Sequence, residues 1–411
     1  MEKAGPVVRL GENRWRESYD LFMTCLHLPP TSEERWQQVS GLYRPDRVFG
    51  ILHQDAVVGT AMSTPMEMVL PGGRVAPVAG STSVGVHSDH TRRGMFTAMM
   101  STRMNELAEQ GEIFLAERPS AATLYLRWGS GPATFTRTVQ VNREHTALRP
   151  DLTTPTQVWR VPAGKDLRAT VADAHARAAA APDARPGMVH RTPAWWECWD
   201  PYRDAAPTLG AAICEGTDGV LGYVTWMVDF EGADVARMRR VLTVLELVAG
   251  TAEAACELWR YLGRLDLVEE IRAPGRPVDE AVPLLFADQR ACHAGEVLDE
   301  MWLRVLDVPA ALQARRWGKA GADAAVTVEV RDEQLSRNTG RYRISADGAD
   351  RVTTEPELTM PVSALAMAYL GGTSPSQLAA TGLLQVHDRS AVPVADLFFA
   401  TPAAPWCGSM F

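Results

Sequence analysis

Along the N-terminal part of the chain, apolar positions alternate between a helical and an extended spacing. Helical spacing over Trp15–Leu26 and again over Ser32–Val39 predicts two short amphipathic helices, the second capped by Thr31 or Ser32. Residues 47–53, 57–68 and 80–86 have the composition of strands. From Met95 to Glu109 the helical spacing returns. Phe96, Met99, Met100, Met104 and Leu107 share a face, and Gly111 provides a stop. Ile113–Ala116 reads as a further strand. Strands alternating with helices in this way predict an α/β sheet unit over residues 1–147.

Residues 155–292 repeat that order faintly. Val220–Val228 and Arg240–Val248 read as strands, and a helix starting at Thr251 runs through Trp259 and Leu262. An alanine-rich run over 169–182 reads as a helix or linker at the edge of this unit. Residues 296–411 mix strands (302–308, 325–330, 341–345) with helices near 309–317 and 362–370. A chain of 411 residues accommodates three such units.

Composition narrows the function class. A chain that is 46% hydrophobic and 22% charged is an ordinary globular one. Its net charge of −9 offers no global basic field, so nucleic acid is not an expected partner. Met1-Glu2-Lys3-Ala4-Gly5-Pro6 carries no leader-type apolar core, and no stretch approaches the ~20 apolar residues of a membrane span. Cys25, Cys198, Cys214, Cys256, Cys292 and Cys407 are scattered without a Cys-x-x-Cys pair. That pattern predicts reduced thiols in a cytoplasmic protein, with no metal site and no membrane partner.

The chemistry concentrates where the strand ending Val84-Gly85-Val86 meets the helix starting at Met95. The first amides of a helix lack intrahelical acceptors and sit at the positive end of its dipole, so this turn can hold phosphate oxygens. Gly94 removes a side chain where a ligand would approach, and Arg92 and Arg93 add charged donors. Any strand-turn-helix with basic residues has these properties. The two best-known phosphate loops are excluded, because neither Gly-x-x-x-x-Gly-Lys-Ser/Thr nor a strand-borne Gly-x-Gly-x-x-Gly occurs.

The run Val84-Gly85-Val86 … His90-Thr91-Arg92-Arg93-Gly94-Met95-Phe96-Thr97-Ala98-Met99 resembles the acetyl-coenzyme A motif of GNAT-superfamily N-acetyltransferases, and more narrowly that of the Eis (enhanced intracellular survival) family. Tyr125-Leu126-Arg127-Trp128-Gly129-Ser130-Gly131-Pro132-Ala133-Thr134 is similar to that family's Tyr-x-Arg-Phe-Gly-Tyr-Gly-Pro-Ala-Thr signature. Trp302-Leu303-Arg304-Val305-Leu306-Asp307-Val308-Pro309-Ala310-Ala311-Leu312 resembles the opening of its third domain, and Phe411 matches its terminal phenylalanine. The resemblance implies tandem GNAT folds, the second without the cofactor motif, followed by a sterol-carrier-protein-like domain. It also implies a homo-oligomer, a hexamer. The chain departs from the pattern at Thr91, where GNAT motifs carry Arg or Gln, and at Ser88-Asp89, where the family's proline is missing.

By the same resemblance the co-substrate is acetyl-CoA or another short acyl-CoA, gripped by Val84, Gly85, Val86, Thr91, Arg92, Arg93, Gly94 and Met95. The reaction is transfer to a primary amine of a small molecule by direct attack in a ternary complex. Tyr125 corresponds to the general acid, since a phenol of reference pKa ~10 can protonate the leaving thiolate. The general base corresponds to the terminal carboxylate of Phe411. Read without the resemblance, Tyr125 is a packed core tyrosine and Phe411 the end of a frayed tail. The apolar, stiff ending Pro402, Pro405, Trp406, Met410, Phe411 argues for burial.

Four positions bear on the acceptor amine. Family members that acetylate polycationic aminoglycosides place acids where this chain has Leu26 and Met410, while Trp36 and Trp196 resemble aromatic walls of the pocket. A drier, more aromatic pocket favours a natural-product or aryl/alkyl amine. Trp195, Trp196 and Trp199 could instead be core. An aminoglycoside acceptor, a protein lysine and a non-catalytic role holding an apolar ligand stay open alternatives.

Overall fold

The computed structural model describes residues 5–144, 146–150, 156–162, 167–199, 209–217, 219–232, 238–318, 320–321 and 323–411. Met1–Ala4 and residues 151–155, where the first unit was expected to give way to the second, lie outside the described residues.

The first unit is built on β1 (Val7–Arg9), α1 (Glu12–Cys25), α2 (Glu33–Ser40), β2 (Val48–His53), β3 (Ala56–Val69), β4 (Val75–Val86), α3 (Met95–Glu109), β5 (Phe114–Glu117) and α4 (Ala122–Leu126). The helices and strands expected from spacing are present, with ends moved by a few residues. Ser32 caps α2, its side chain accepting from the Arg35 amide at 3.1 Å, so the second of the two cap candidates is the one used. Strands β1 to β4 run antiparallel to their neighbours, and β4 pairs in parallel with β5. On α3, Met95, Met99, Met100, Met104 and Leu107 are buried.

Two strands belong to a different sheet from the one their sequence position suggested. Trp302–Val305, expected in the third unit, lies antiparallel between β5 and Gly131–Pro132 in the first sheet. Phe135–Asn142, expected in the first unit, pairs with Glu270–Pro277 in the second. The cause is a crossing at Ala133-Thr134. Both amides donate to the Met301 carbonyl, at 2.9 and 3.1 Å. The Thr134 hydroxyl donates to Glu300 and accepts from the Met301 amide. The sheets are therefore completed by exchanged segments, which no local pattern reveals.

The second sheet repeats the parallel pair: Val241–Thr243 runs beside Glu270–Arg272. Its helix, Ala252–Gly263, starts differently from α3. The Thr251 hydroxyl accepts from the Ala254 amide at 3.2 Å and so occupies the helix start itself. A Cβ on Gly250 would stand 2.7 Å from the Ala181 side chain and 3.3 Å from Ala178, because the helix Leu167–Ala180 covers this end. No open amide turn is left, which is why the second fold lacks the cofactor motif.

The third unit has a five-stranded sheet covered by the helices Val308–Ala314, Val362–Tyr369, Pro375–Ala380 and Ala391–Phe399. Its core is continuous with the first sheet: Met68, Phe114 and Leu303 pack in one cluster with Val328, Leu365 and Phe398. A fully buried ion pair spans the same junction. Both Asp332 oxygens accept from Arg304 Nη2, at 2.8 and 2.7 Å, and Asp332 also accepts from the Asn338 side chain. Removing one partner of such a pair strands the other charge, so Asp332→Ala should cost about 3–5 kcal/mol in the denaturant midpoint. A loss below roughly 1 kcal/mol, the value of an exposed pair, would contradict this role.

Candidate active site

β4 and β5 are paired only from Val78 to Gly80. Beyond that point they diverge, and the β4 backbone from Ser81 to Val86 loses its partner on that side. On the other side the register with β3 slips between Thr60 and Met62, so Ala61 faces both Ser83 and Val84, with Ser83 at φ +51°. The slip lies beside the gap between the strands, and Val84 borders it.

β4 runs into a short 3-10 turn, Ser88–His90, and then into α3. Arg92 at φ +60° and Gly94 at φ +81° reverse the chain so that the helix starts facing the gap. The first helical acceptor is the Gly94 carbonyl, taken by the Ala98 amide, so the amides of Met95, Phe96 and Thr97 precede the ladder. A Cβ on Gly94 would meet nothing within 4 Å, so the space above the turn is open. His90 Nδ1 is buried beside it without a hydrogen-bond partner. These features fit a diphosphate. Thr91 donates through its hydroxyl to the Ser88 carbonyl at 2.9 Å, which braces the turn where the family's usual Arg or Gln is absent.

Two cavities open from the gap. One, of about 420 Å³, is lined by Val84, Gly85, Val86, Thr91, Arg92, Gly94 and Met95 and by α4. Of the residues expected at the cofactor, Arg93 is the exception: its guanidinium donates to the Asp89 carbonyl at 2.9 Å, within the turn. The other cavity, of about 590 Å³, lies between α1, α2 and the end of the chain, and Tyr19, Phe22, Leu26, Trp199, Met410 and Phe411 are among its walls. Val84, Ser120 and Tyr125 line both cavities. Tyr125 is only 9% exposed, with Phe96 edge-on at 5.8 Å between ring centroids. Burial, and next the charge of Glu117, push its phenol up to about 12, against the opposing effect of Arg103.

The C-terminal segment reaches this junction because every turn of it is held. The Ala404 carbonyl accepts from Arg185 at 2.9 Å, and its amide donates to Asp279 at 2.8 Å. Trp406 enters the diverging pair of the second sheet, its indole donating to the Gly275 carbonyl at 2.9 Å. Glu300 accepts from the amides of Cys407 and Gly408, at 2.9 and 2.8 Å. Arg191 donates to the Gly408 carbonyl and the Ser409 hydroxyl, and Arg118 to the Ser409 carbonyl at 2.6 Å. Phe411 ends 7% exposed, with the Arg118 guanidinium 5.5 Å from its ring centroid.

Residues 7–133 and residues 187–305 each match an acetyltransferase (GNAT) domain family, and residues 308–408 match the sterol carrier protein domain family. N-acetyltransferase Eis of Mycobacterium tuberculosis is 30% identical over 84% of this chain and 83% of its own length. The chain belongs to the Eis family of GNAT N-acetyltransferases. An N-acetyltransferase of Streptomyces avermitilis is 33% identical over 97% of both chains. The crystal structure of Eis1 from Mycobacterium abscessus superposes with a TM-score of 0.85 at 31% identity, covering 98% of this chain and 99% of that one. The chain is accordingly an acetyltransferase with an acyl-CoA co-substrate. Among the described residues no helix is long and apolar enough to cross a membrane, and no group of His, Cys, Asp and Glu is arranged to hold a metal ion.

Within this Eis-type site, Leu26 and Met410 line the larger cavity at its rim, while Trp36 and Trp196 are not among its walls. Trp36 stacks behind the wall, 6.0 Å from Tyr19 and 5.4 Å from Tyr43 between centroids, with Arg16 at 5.6 Å. Trp196 is buried against Trp195, His175 and Arg191. The same short helix, Pro193–Trp199, turns Trp199 toward the cavity instead. Glu117, Arg118 and Glu300 also line it, and sequence reasoning missed them. A carboxylate closing the apolar run Phe114-Leu115-Ala116 was the available signal for Glu117.

Glu300→Ala removes the acceptor of two tail amides and of Arg118. Hydrogen bonds to a charged group are worth about 1.5–3 kcal/mol each, so turnover should fall by at least about tenfold while acyl-CoA affinity holds. Single-turnover kinetics beside a binding titration checks this; loss of affinity with intact turnover would contradict it.

Proposed function

We propose that this enzyme transfers an acetyl group from acetyl-CoA to a primary amine on a small, largely apolar molecule, by direct attack in a ternary complex. The observation that carries the reading is the meeting of an open amide-rich groove and a separate apolar cavity at Val84 and Tyr125. The smaller cavity takes the pantetheine arm, and the larger one takes the amine. The unpaired backbone near Val84 supplies the donor that a developing oxyanion requires.

Tyr125 is suited to the acid role. A phenol held near 12 stays protonated in the resting enzyme and yields its proton only as negative charge builds on the leaving sulfur. The Phe411 carboxylate, carried into the acceptor cavity by the anchored tail, draws in and orients the ammonium. It also acts as general base.

The walls favour a weakly cationic acceptor. Leu26, Leu28, Phe22, Met23 and Met410 present hydrocarbon. Glu300 is committed to Arg118, Thr134 and two tail amides, and Asp299 accepts from the Trp302 indole. Arg35 and Arg118 bring positive charge to the same space. Beyond Glu117 and the terminal carboxylate, a ligand with several ammonium groups would find too little free negative charge there.

Thiol release from acetyl-CoA should therefore be faster, as kcat/KM, with 2-phenylethylamine than with an aminoglycoside. Tyr125→Phe should lower kcat about 10²-fold or more with the acetyl-CoA Kd unchanged, and one residue added after Phe411 should do the same. Preference for the aminoglycoside would overturn the substrate class. Absence of thiol release with every amine would overturn the activity itself.

A further inference from the structure

Glu117 ends β5 with its side chain only 1% exposed, although the residue lines the acceptor cavity. One oxygen, Oε2, accepts from the Ser130 hydroxyl. The other, Oε1, has no hydrogen-bond donor, and Arg103 Nη2 stands 3.7 Å away. The charged and titratable groups facing it are Arg103 from α3, Tyr125 from α4 and Arg304 from the strand Trp302–Val305. Arg304 is already committed to both oxygens of Asp332. A carboxylate out of water with an oxygen left undonated is costly, and this one stands on the wall of the acceptor cavity.

We infer that Glu117 is a second proton acceptor of the transfer, taking from the bound ammonium the proton that must leave before the nitrogen can attack. The inference rests on the N-acetyl transfer proposed above and deepens it.

A terminal carboxyl has a reference pKa of about 3.3–3.7, far below an alkylammonium near ~10, so alone it is a weak base toward such an acceptor. Burial pushes the Glu117 carboxyl up to about 7, against the opposing effects of Arg103, the Ser130 hydrogen bond and Arg304. A base is most useful when its pKa lies near the working pH. The terminal carboxylate then orients the ammonium and relays its proton, directly or through one water, to Glu117, where it comes to rest.

The protons balance. One N–H bond of the ammonium breaks, and that proton goes to Glu117. The freed lone pair bonds to the thioester carbonyl carbon. The C–S bond breaks as Tyr125 gives its proton to the sulfur, and the nitrogen passes its surplus proton to the phenolate. Glu117 later releases its proton to solvent, leaving amide, thiol and one proton. The two side chains are coupled: the Glu117 charge holds the phenol up, so neutralising Glu117 makes Tyr125 the stronger acid when the sulfur needs it.

The test is the kcat profile from about pH 5.5 to 9 with acetyl-CoA and 2-phenylethylamine. The wild type should show an acid limb near the Glu117 value of about 7, lost as pH falls because the carboxylate is protonated. Glu117→Gln keeps an acceptor for Ser130, and should abolish the limb and cut kcat about 10²–10⁴-fold with acetyl-CoA Kd and melting midpoint near wild type. Ser130→Ala removes a hydrogen bond that lowers the carboxyl, so it should move the limb upward. It carries the test if the Gln variant does not fold. A folded Glu117→Gln enzyme that keeps the limb, or a limb unmoved in Ser130→Ala, overturns the inference. A wild type that acetylates no amine overturns the activity on which it rests, a result distinct from equal turnover by wild type and variant.

Discussion

The parting of β4 from β5 after Gly80 is the constraint on which the site depends. A parallel pair continued to Val86 would satisfy the β4 backbone and close the sheet. Ending it early leaves the β4 backbone from Ser81 onward without a partner on that side, and it sets the end of β5 beside the gap. The bulge opposite Ala61 and the left-handed residues Arg92 and Gly94 extend the same gap to a helix start. The two cavities and the Tyr125 phenol meet there because the sheet fails to close.

The second fold contains the same divergence put to another use. Its parallel pair ends at Thr243, and Arg276 reaches across to the Leu247 carbonyl at 2.6 Å. Trp406 occupies the opening, donating to Gly275, with the Arg276 guanidinium 5.2 Å from its ring. One gap therefore stays open to the two cavities, and the other holds the tail that ends in the first. Thr251 and the helix Leu167–Ala180 leave no open amide turn at the second gap. Glu300 and Arg118 complete the path, joining tail, first sheet and the crossing strands at one point.

Much of this was legible in the chain. Helical and extended spacing located α1, α3, β3 and, in the third unit, the helices Val308–Ala314 and Val362–Tyr369 but not Pro375–Ala380 or Ala391–Phe399. The turn from Val84 to Gly94 stood out from other strand-turn-helix units only through the motif around it. Tyr125 was visible as a candidate only through the signature around it, since a half-turn of apolar residues gives a tyrosine no distinguishing pattern. The exchange of Phe135–Asn142 and Trp302–Val305 between sheets was hidden, because strand pairing over such separations leaves no local periodicity. The aromatic positions were misleading for a related reason. Trp196 and Trp199 are one helical turn apart, and only the packing of their helix decides that Trp199 faces the cavity. Glu300 went unseen because its partners Arg118, Thr134 and the tail amides lie far away in sequence, and Glu117 because its neighbours Arg103 and Ser130 form no spacing that points to it.

The account turns on where the thioester lies. A crystal structure with acetyl-CoA bound tests this most directly. It should show the diphosphate on the amides at the start of α3, the acetyl carbonyl at the Val84 backbone and the sulfur beside the Tyr125 hydroxyl, with Phe411 still in the acceptor cavity. An acetyl group directed away from Tyr125, or a tail displaced from the cavity on binding, would contradict it.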